Sequence, residues 1–215
     1  MPSTVFSTYL QFSNQTETHK QQQATNVATL ISRDLVSLPS NRFTICGSMY
    51  IGYFRGTKAF YAVRKIGEDK LWFQVTIDKQ DIKDSSYTAM LEYFGATVYS
   101  NTGAKLGMRP HSWSHACTTV NVDNGHVLVV INGILTHNIT IDSKAFNSNV
   151  PTVFQNNLIL GVFYRPGTPN ITYQSEASVS SVNVFSVPMN ASHMVEVTSR
   201  GPSQFGDVVS WSKAK

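Results

Sequence analysis

The stretch "VNVDNGHVLVVINGILTHN", residues 120–138, decides the fold of this chain. It contains two Asn-Gly pairs, at residues 124–125 and 132–133. Asn-Gly supplies the two consecutive positive-φ residues that a type I′ hairpin turn requires. The stretch therefore predicts three consecutive antiparallel strands in one sheet. The segment between the turns is apolar without alternation, which predicts a central strand.

Similar β signals fill most of the chain from about residue 43. Short segments rich in β-branched and aromatic residues are separated by Gly, Pro, Asn and Asp, as strands and turns usually are. The predicted strands are 43–54, 60–63, 71–77, 88–93, 113–122, 127–131, 134–139, 158–162, 179–185 and 208–211. The pattern predicts only one helical turn, near residues 189–195. Many short strands without crossover helices predict an all-β protein, a two-sheet antiparallel β-sandwich or jelly roll.

The length of 215 residues suits one large all-β domain. Residues 1–25 are polar and rich in Gln, and they predict an N-terminal arm or a short edge strand. Residues 26–215 carry no repeat, linker or low-complexity block, so they are assigned to a single β-sandwich domain.

Composition and charge argue against two classes of partner. Charged residues make up 14% of the chain, against ~25% in typical soluble domains, and this balance is typical of extracellular β proteins. The net charge is +4, but the basic residues are scattered, so the clustered footprint of a nucleic-acid-binding protein is missing. The apolar runs are far shorter than the ~20 residues that a membrane span needs. We therefore expect no nucleic-acid partner and no membrane insertion by this segment.

The N-terminal residues lack the apolar stretch of a signal peptide, which by itself indicates a cytosolic protein. Four Asn-x-Ser/Thr sequences argue against that interpretation, because they are acceptors for N-glycosylation in secreted proteins. The predicted acceptors are Asn14, Asn138, Asn170 and Asn190. We expect a piece of a secreted protein, or of the extracellular domain of a membrane protein.

The chain has two cysteines, Cys46 and Cys117, each in an apolar predicted strand. In a reducing compartment they would be small buried hydrophobic side chains. In an oxidising compartment two neighbouring strands would bring them close enough to pair. We favour the disulfide, because the glycosylation sequences and the composition indicate the same compartment.

"FTIC" (43–46) followed by "HACTT" (115–119) resembles the pentraxins and the related laminin-G-like, concanavalin A-like domains. The pentraxin signature is His-x-Cys-x-Ser/Thr-Trp, and Val120 stands here where Trp is expected. Three later segments are similar to pentraxin strands in the same order, at residues 156–163, 179–186 and 206–211. The resemblance covers about residues 30–215. It implies a two-sheet jelly roll in which a disulfide joins the two cysteines.

Pentraxins bind ligands through calcium, which carboxylates and amides hold. The matching segment here, residues 162–165, offers no carboxylate, and the other acidic position falls at Glu68 and Asp69. Two carboxylates make a poor calcium cage, because Ca²⁺ takes six to eight oxygen ligands. We therefore predict no cofactor, with calcium-independent binding.

The motif "HSWSH" places His111, Trp113 and His115 on one face of a predicted strand, since side chains alternate along a strand. Two histidines on one face can bind zinc, but no third ligand is identifiable, and zinc needs three or four. A packed or hydrogen-bonded pair is the favoured interpretation, and no metal site is predicted.

The segment "FYRPGTPNITYQ", residues 163–174, predicts a loop stiffened by proline and glycine. Its Tyr164, Arg165 and Tyr173 are the candidate ligand-binding residues, because loops carry function on such scaffolds. We predict an extracellular, non-enzymatic recognition module that binds a glycan or a cell-surface protein, alone or as an oligomer or part of a larger protein. One alternative is a structural or adhesive ectodomain of a larger cell-surface receptor. A second alternative is a degenerate glycan-active enzyme, which we disfavour because no paired catalytic carboxylates are identifiable.

Overall fold

The computed structural model describes residues 10–12, 28–30, 37–38, 42–51, 57–65, 71–78, 88–93, 96–99, 106–109, 111–140, 154–160, 162–165, 168–174, 177–201 and 206–207. The strands are β1 (Leu10–Phe12), β2 (Ala28–Leu30), β3 (Ser37–Leu38), β4 (Arg42–Ile51), β5 (Lys58–Lys65), β6 (Leu71–Asp78), β7 (Thr88–Tyr93), β8 (Ala96–Tyr99), β9 (Ser112–Asn121), β10 (His126–Ile131), β11 (Ile134–Thr140), β12 (Phe154–Leu160), β13 (Val162–Arg165), β14 (Thr168–Gln174) and β15 (Ala177–Phe185). One α-helix, α1, spans Ala191–Arg200, and a short 3₁₀ turn spans Val122–Asn124.

The strands form two antiparallel sheets, which confirms the predicted all-β sandwich. The first sheet has the order β1-β15-β4-β9-β10-β11. The second has the order β2-β12-β5-β6-β7-β8, with β3 also paired to β12. Strands β13 and β14 form a separate two-stranded hairpin. The short strand β1 lies at the edge of the first sheet, against β15.

The core lies between the two sheets, because inward-facing residues of both are buried in one cluster. The first sheet contributes Phe43, Ile45, Val129 and Ile131, and the second contributes Tyr61, Val75 and Leu91. Tyr61 also links the sheets by hydrogen bonds, with its hydroxyl 2.6 Å from Thr118 Oγ1 and 3.2 Å from the carbonyl of Ile45. Burial raises the pKa of the Tyr61 hydroxyl, so the hydroxyl stays protonated and can donate to the Ile45 carbonyl.

Helix α1 covers the outer face of the first sheet, which we call the helix face. A second buried cluster forms there, in which Met194 and Val197 of α1 pack against Leu128 and Val130 of β10. Strand β10 is therefore covered on both sides, as its unbroken apolar sequence predicts. Within the described part of the chain, no helix is long and apolar enough to cross a bilayer.

The predicted single helical turn is wrong, because α1 runs for ten residues. Asn190 caps its N-terminus, with the side-chain oxygen 2.9 Å from the amide nitrogen of His193. Only Met194, Val197 and Thr198 are buried, and the helix is rich in Ser, Thr and Val, which are modest helix formers. Packing on the sheet, more than local propensity, stabilises this helix.

The two Asn-Gly pairs form different turns. Asn132 and Gly133 have φ values of 48° and 79°, and Ile131 pairs with Ile134 across them, which confirms the predicted two-residue hairpin. At the first pair only the glycine has positive φ, and the 3₁₀ turn precedes it, so the predicted type I′ turn there is wrong. Asn124 Oδ1 instead accepts a hydrogen bond from the His126 amide at 3.1 Å, which stabilises a longer connection. The predicted order β9-β10-β11 is nevertheless confirmed.

Three further differences concern the strands. The predicted strand at 158–162 is two strands, β12 and β13, and the predicted loop at 163–174 is the β13–β14 hairpin. Strands β2, β3 and β8 were not predicted. The predicted strand at 208–211 lies outside the described residues.

The two cysteines form the predicted disulfide. Cys46 on β4 lies directly opposite Cys117 on β9, with Cα atoms 4.1 Å apart. Both are buried on the helix face, in the cluster that contains Met194. The bond thus joins two central strands of the first sheet beneath the helix.

Candidate functional site

The predicted binding residues Tyr164, Arg165 and Tyr173 lie on the β13–β14 hairpin. The register pairs Tyr164 with Thr172, and Tyr173 with Phe163. The side chains of the three candidates lie outside the part of the structure that is described. Their role in binding stays a prediction.

Two of the four predicted glycosylation sites have described side chains, and both are exposed. Asn138 lies on β11, with Oδ1 2.6 Å from His126 Nε2. Asn190 caps α1 through its own Oδ1. A glycan would be attached to Nδ2 in each case, so it leaves the oxygen free to keep its hydrogen bond. The other two are Asn14, which lies outside the described residues, and Asn170, whose strand position alone is described.

The two histidines of the "HSWSH" motif each have a separate hydrogen-bond partner on β4. His115 Nδ1 lies 2.7 Å from Ser48 Oγ. His111 Nδ1 lies 3.5 Å from the Tyr50 hydroxyl, a long contact. Among the described residues, no group of three or more His, Cys, Asp and Glu side chains is placed to hold a metal ion.

Three aromatic side chains meet on the helix face, beyond the C-terminal end of α1: Tyr50, His111 and Trp113. We call them the aromatic patch. Tyr50 lies directly opposite Trp113 in the β4–β9 register, with ring centroids 5.7 Å apart and planes 55° apart. The rings of Tyr50 and His111 are 6.4 Å apart, also at 55°. Trp113 is 39% exposed, although large aromatic side chains favour burial.

The backbone before β9 holds the patch in place. His111 has a φ of 57°, in the left-handed region that non-glycine residues rarely adopt. Its amide donates a hydrogen bond to the carbonyl of Ile51 at 2.9 Å, and the Ser112 hydroxyl donates to the carbonyl of Arg109 at 2.7 Å. These bonds fix the bend that places His111 beside Tyr50.

Ser48 and His115 form the next row of the same face, and we call them the polar pair. The amide of His115 donates to Asn132 Oδ1 at 2.8 Å, which ties β9 to the hairpin turn. Gly201 ends α1 with a φ of 80°, and a Cβ atom added there would lie 3.3 Å from His115 Nε2. The imidazole is thus held between the Ser48 hydroxyl and the end of the helix. Burial lowers the pKa of His115, so the ring is neutral at pH 7.

Similarity to known proteins is found in structure rather than in sequence. No protein-family model matches the chain, and a search of curated proteins finds no match. A native heptameric SAP-like pentraxin from Limulus polyphemus superimposes with a TM-score of 0.63 at 16% identity, over 83% of this chain and 80% of that one. The fold is a pentraxin-like β-sandwich.

Two further structures share this pentraxin-like sandwich less closely. The CBM40 domain of a Ruminococcus gnavus IT-sialidase, bound to α2,3-sialyllactose, gives a TM-score of 0.51 at 17% identity, over 76% of this chain and 84% of that one. A leech intramolecular trans-sialidase, complexed with 2,7-anhydro-Neu5Ac, gives 0.55 at 17% identity, over 81% of this chain but 26% of that one. At these identities the similarity establishes the fold alone.

The sequence indicated part of this site. The alternation rule placed His111, Trp113 and His115 on one face, and the structure confirms that they share the helix face. Tyr50 and Ser48 were not predicted, because they join the site only through the β4–β9 register. The signal was available in the cysteines. An antiparallel register that pairs Cys46 with Cys117 also pairs Tyr50 with Trp113.

The half-buried His115 predicts a loss of stability in acid. Its folded pKa is below the ~6.5 of an unfolded histidine, so below pH 6.5 the unfolded state binds more protons. The free energy of unfolding should therefore fall as the pH drops from 6.5 to the folded pKa. Urea unfolding of the wild type and His115→Gln at pH 7.5 and pH 5 measures this. We expect the acid-induced loss to be smaller in His115→Gln, and equal losses in both proteins would contradict the prediction.

Proposed function

We propose that this chain is a non-enzymatic carbohydrate-recognition module, and that the aromatic patch is its binding site. The observation that carries the proposal is the exposed pairing of Trp113 with Tyr50 on an outer sheet face. One face of a pyranose ring presents C–H groups, which stack on the electron-rich face of an aromatic ring. Ligand sites of this kind combine apolar surface with a few convergent polar groups. Here the Tyr50 hydroxyl and the exposed His111 imidazole supply those groups.

Fold similarity supports the proposal. The CBM40 domain, bound to a sialylated oligosaccharide, shares the two-sheet architecture. This supports a sugar ligand without locating it, because folds host many functions.

The chemistry of the patch supports binding over catalysis. Glycoside hydrolysis usually needs two carboxylates flanking the scissile bond. The aromatic patch and the polar pair contain no carboxylate. Calcium-independent binding is part of the proposal for the same reason, since Ca²⁺ prefers carboxylate and carbonyl oxygens.

An extracellular location is also proposed, either as a secreted protein or as part of a larger ectodomain. The disulfide supports it, because such bonds form and persist in oxidising compartments. The exposed side chains of Asn138 and Asn190 suit N-glycosylation there.

The substitution Trp113→Ala tests the function. We expect the wild type to bind at least one glycan on an array, with and without EDTA, and Trp113→Ala to lower the affinity by about 10- to 100-fold. That range corresponds to about 1.4–2.8 kcal/mol of binding free energy. Isothermal titration calorimetry with a glycan that binds on the array measures the change.

Leu135→Ala is the matched control, because Leu135 on β11 is 37% exposed and lies outside the patch. It should leave the affinity unchanged. If no glycan binds, the structural or adhesive alternative replaces this proposal. Equal affinities of Trp113→Ala and the wild type would show that the aromatic patch is not the binding site.

A further inference from the structure

We propose, building on the carbohydrate-binding function above, that the aromatic patch binds one uncharged sugar ring at the end of a glycan. A run of internal sugar units would not fit it. The patch would therefore distinguish chain ends from chain interiors. The geometry of the rings, the limits of the exposed surface and the polar groups each point to this ligand.

The tilt between the rings favours a single sugar ring. The planes of Tyr50 and Trp113 are 55° apart at a centroid distance of 5.7 Å, and His111 is tilted from Tyr50 by the same angle. A continuous sugar chain stacks best on aromatic rings that lie in one plane along its path. Two tilted rings form a corner instead, and a corner contacts the face and the edge of the same pyranose.

Among the described residues, three features limit the room for a sugar chain at the patch. On one side, Gly201 at the end of α1 lies against His115, two residues from Trp113 or about 7 Å along the strand. On the other side, the bend at His111 turns the backbone out of the strand. Across the sheet, Ser178 on β15 pairs with Tyr50 but is buried, so the exposed surface of the patch ends at Tyr50 on that side. The exposed aromatic surface is therefore short in these three directions.

The polar groups beside the rings suit hydroxyl groups. The Tyr50 hydroxyl contacts the exposed His111 ring, whereas Ser48 is buried and bonds to His115. A hydroxyl and an imidazole can both form hydrogen bonds with sugar hydroxyls. At the end of α1, the Arg200 guanidinium is 2.8 Å from the Glu196 carboxylate. Arg109 is exposed two residues before His111, so an acid-ended ligand is included in the test.

The test compares chain length with chain end by isothermal titration calorimetry. The probes are four uncharged series that end in galactose, glucose, mannose or N-acetylglucosamine, each with one, two and four units, together with α2,3-sialyllactose. We expect one series to bind with affinities that agree within about threefold at all three lengths. Methylation of the terminal ring hydroxyls should lower that affinity at least tenfold.

A tenfold or greater rise in affinity from one to four units would overturn terminal recognition while leaving the proposed function intact. Binding of sialyllactose alone would overturn the uncharged ring, and so would failure of every series to bind while the array shows glycan binding. If nothing binds on the array either, the proposed function fails as well.

Two variants at Tyr50 test whether its ring contributes to binding of the single sugar. Tyr50→Ala removes one side of the corner, and we expect it to lower the affinity for the single sugar at least tenfold. Tyr50→Phe keeps the ring and should lose no more than about threefold. Wild-type affinity in Tyr50→Ala, with an unchanged midpoint of thermal unfolding, would overturn the corner as the binding element.

Discussion

Breaking the disulfide between Cys46 and Cys117 is expected to lower the free energy of unfolding by about 4 kcal/mol. The bond joins residues 71 positions apart, so it removes a large loop-closure entropy from the unfolded chain. A loss of this size is a large share of the 5–15 kcal/mol that typically stabilises a folded domain. For a chain of this length it corresponds to a fall of about 10 °C in the midpoint of thermal unfolding.

The double variant Cys46→Ala/Cys117→Ala, compared with the wild type by urea and thermal unfolding, measures this loss. The wild type should lose similar stability when a reductant is added, whereas the double variant should not respond to it. A wild type whose midpoint is the same with and without reductant would show that the bond does not stabilise the fold.

Truncation of Met194 to alanine is expected to lower the free energy of unfolding by about 3 kcal/mol. Met194 is fully buried between α1 and the helix face, in the cluster with both cysteines. Its sulfur also lies 3.3 Å from the Thr119 hydroxyl. Alanine would leave a cavity beneath the helix, and buried Met→Ala changes typically cost 2–5 kcal/mol.

Glu196→Ala is the matched control for Met194→Ala, because it lies on the same helix with its side chain exposed. It removes a surface ion pair with Arg200, which contributes at most about 0.5 kcal/mol. Urea unfolding of the three proteins distinguishes the effects. Equal stabilities of the two variants would mean that α1 contributes little by packing on the sheet.

The cysteine double variant and Met194→Ala both affect the surface that carries the aromatic patch. The disulfide joins β4 and β9, and those two strands present Tyr50 and Trp113 to each other. Helix α1 brings Gly201 against His115. The proposed site therefore depends on the disulfide and on helix α1. Sequence analysis favoured the disulfide, but it predicted only one turn of the helix.

Local patterns were sufficient for the three-strand meander β9-β10-β11. The Asn132-Gly133 pair supplies positive φ at two consecutive residues, and this needs no distant contact. The apolar run that follows residue 126 predicts a covered strand by composition alone. At the first Asn-Gly pair the same rule was wrong, because the Asn124 side chain bonds to the backbone and favours a longer connection.

The amino-acid sequence by itself determined the all-β class and the three-strand meander, and it favoured the disulfide without deciding it. The first two follow from residue types whose backbone preferences act wherever they stand. Only the tertiary structure decided that α1 extends to Arg200 and that Tyr50 meets Trp113. Those features depend on packing and strand register between segments far apart in the chain, and a pattern of a few residues carries no information about which distant segment will lie beside it.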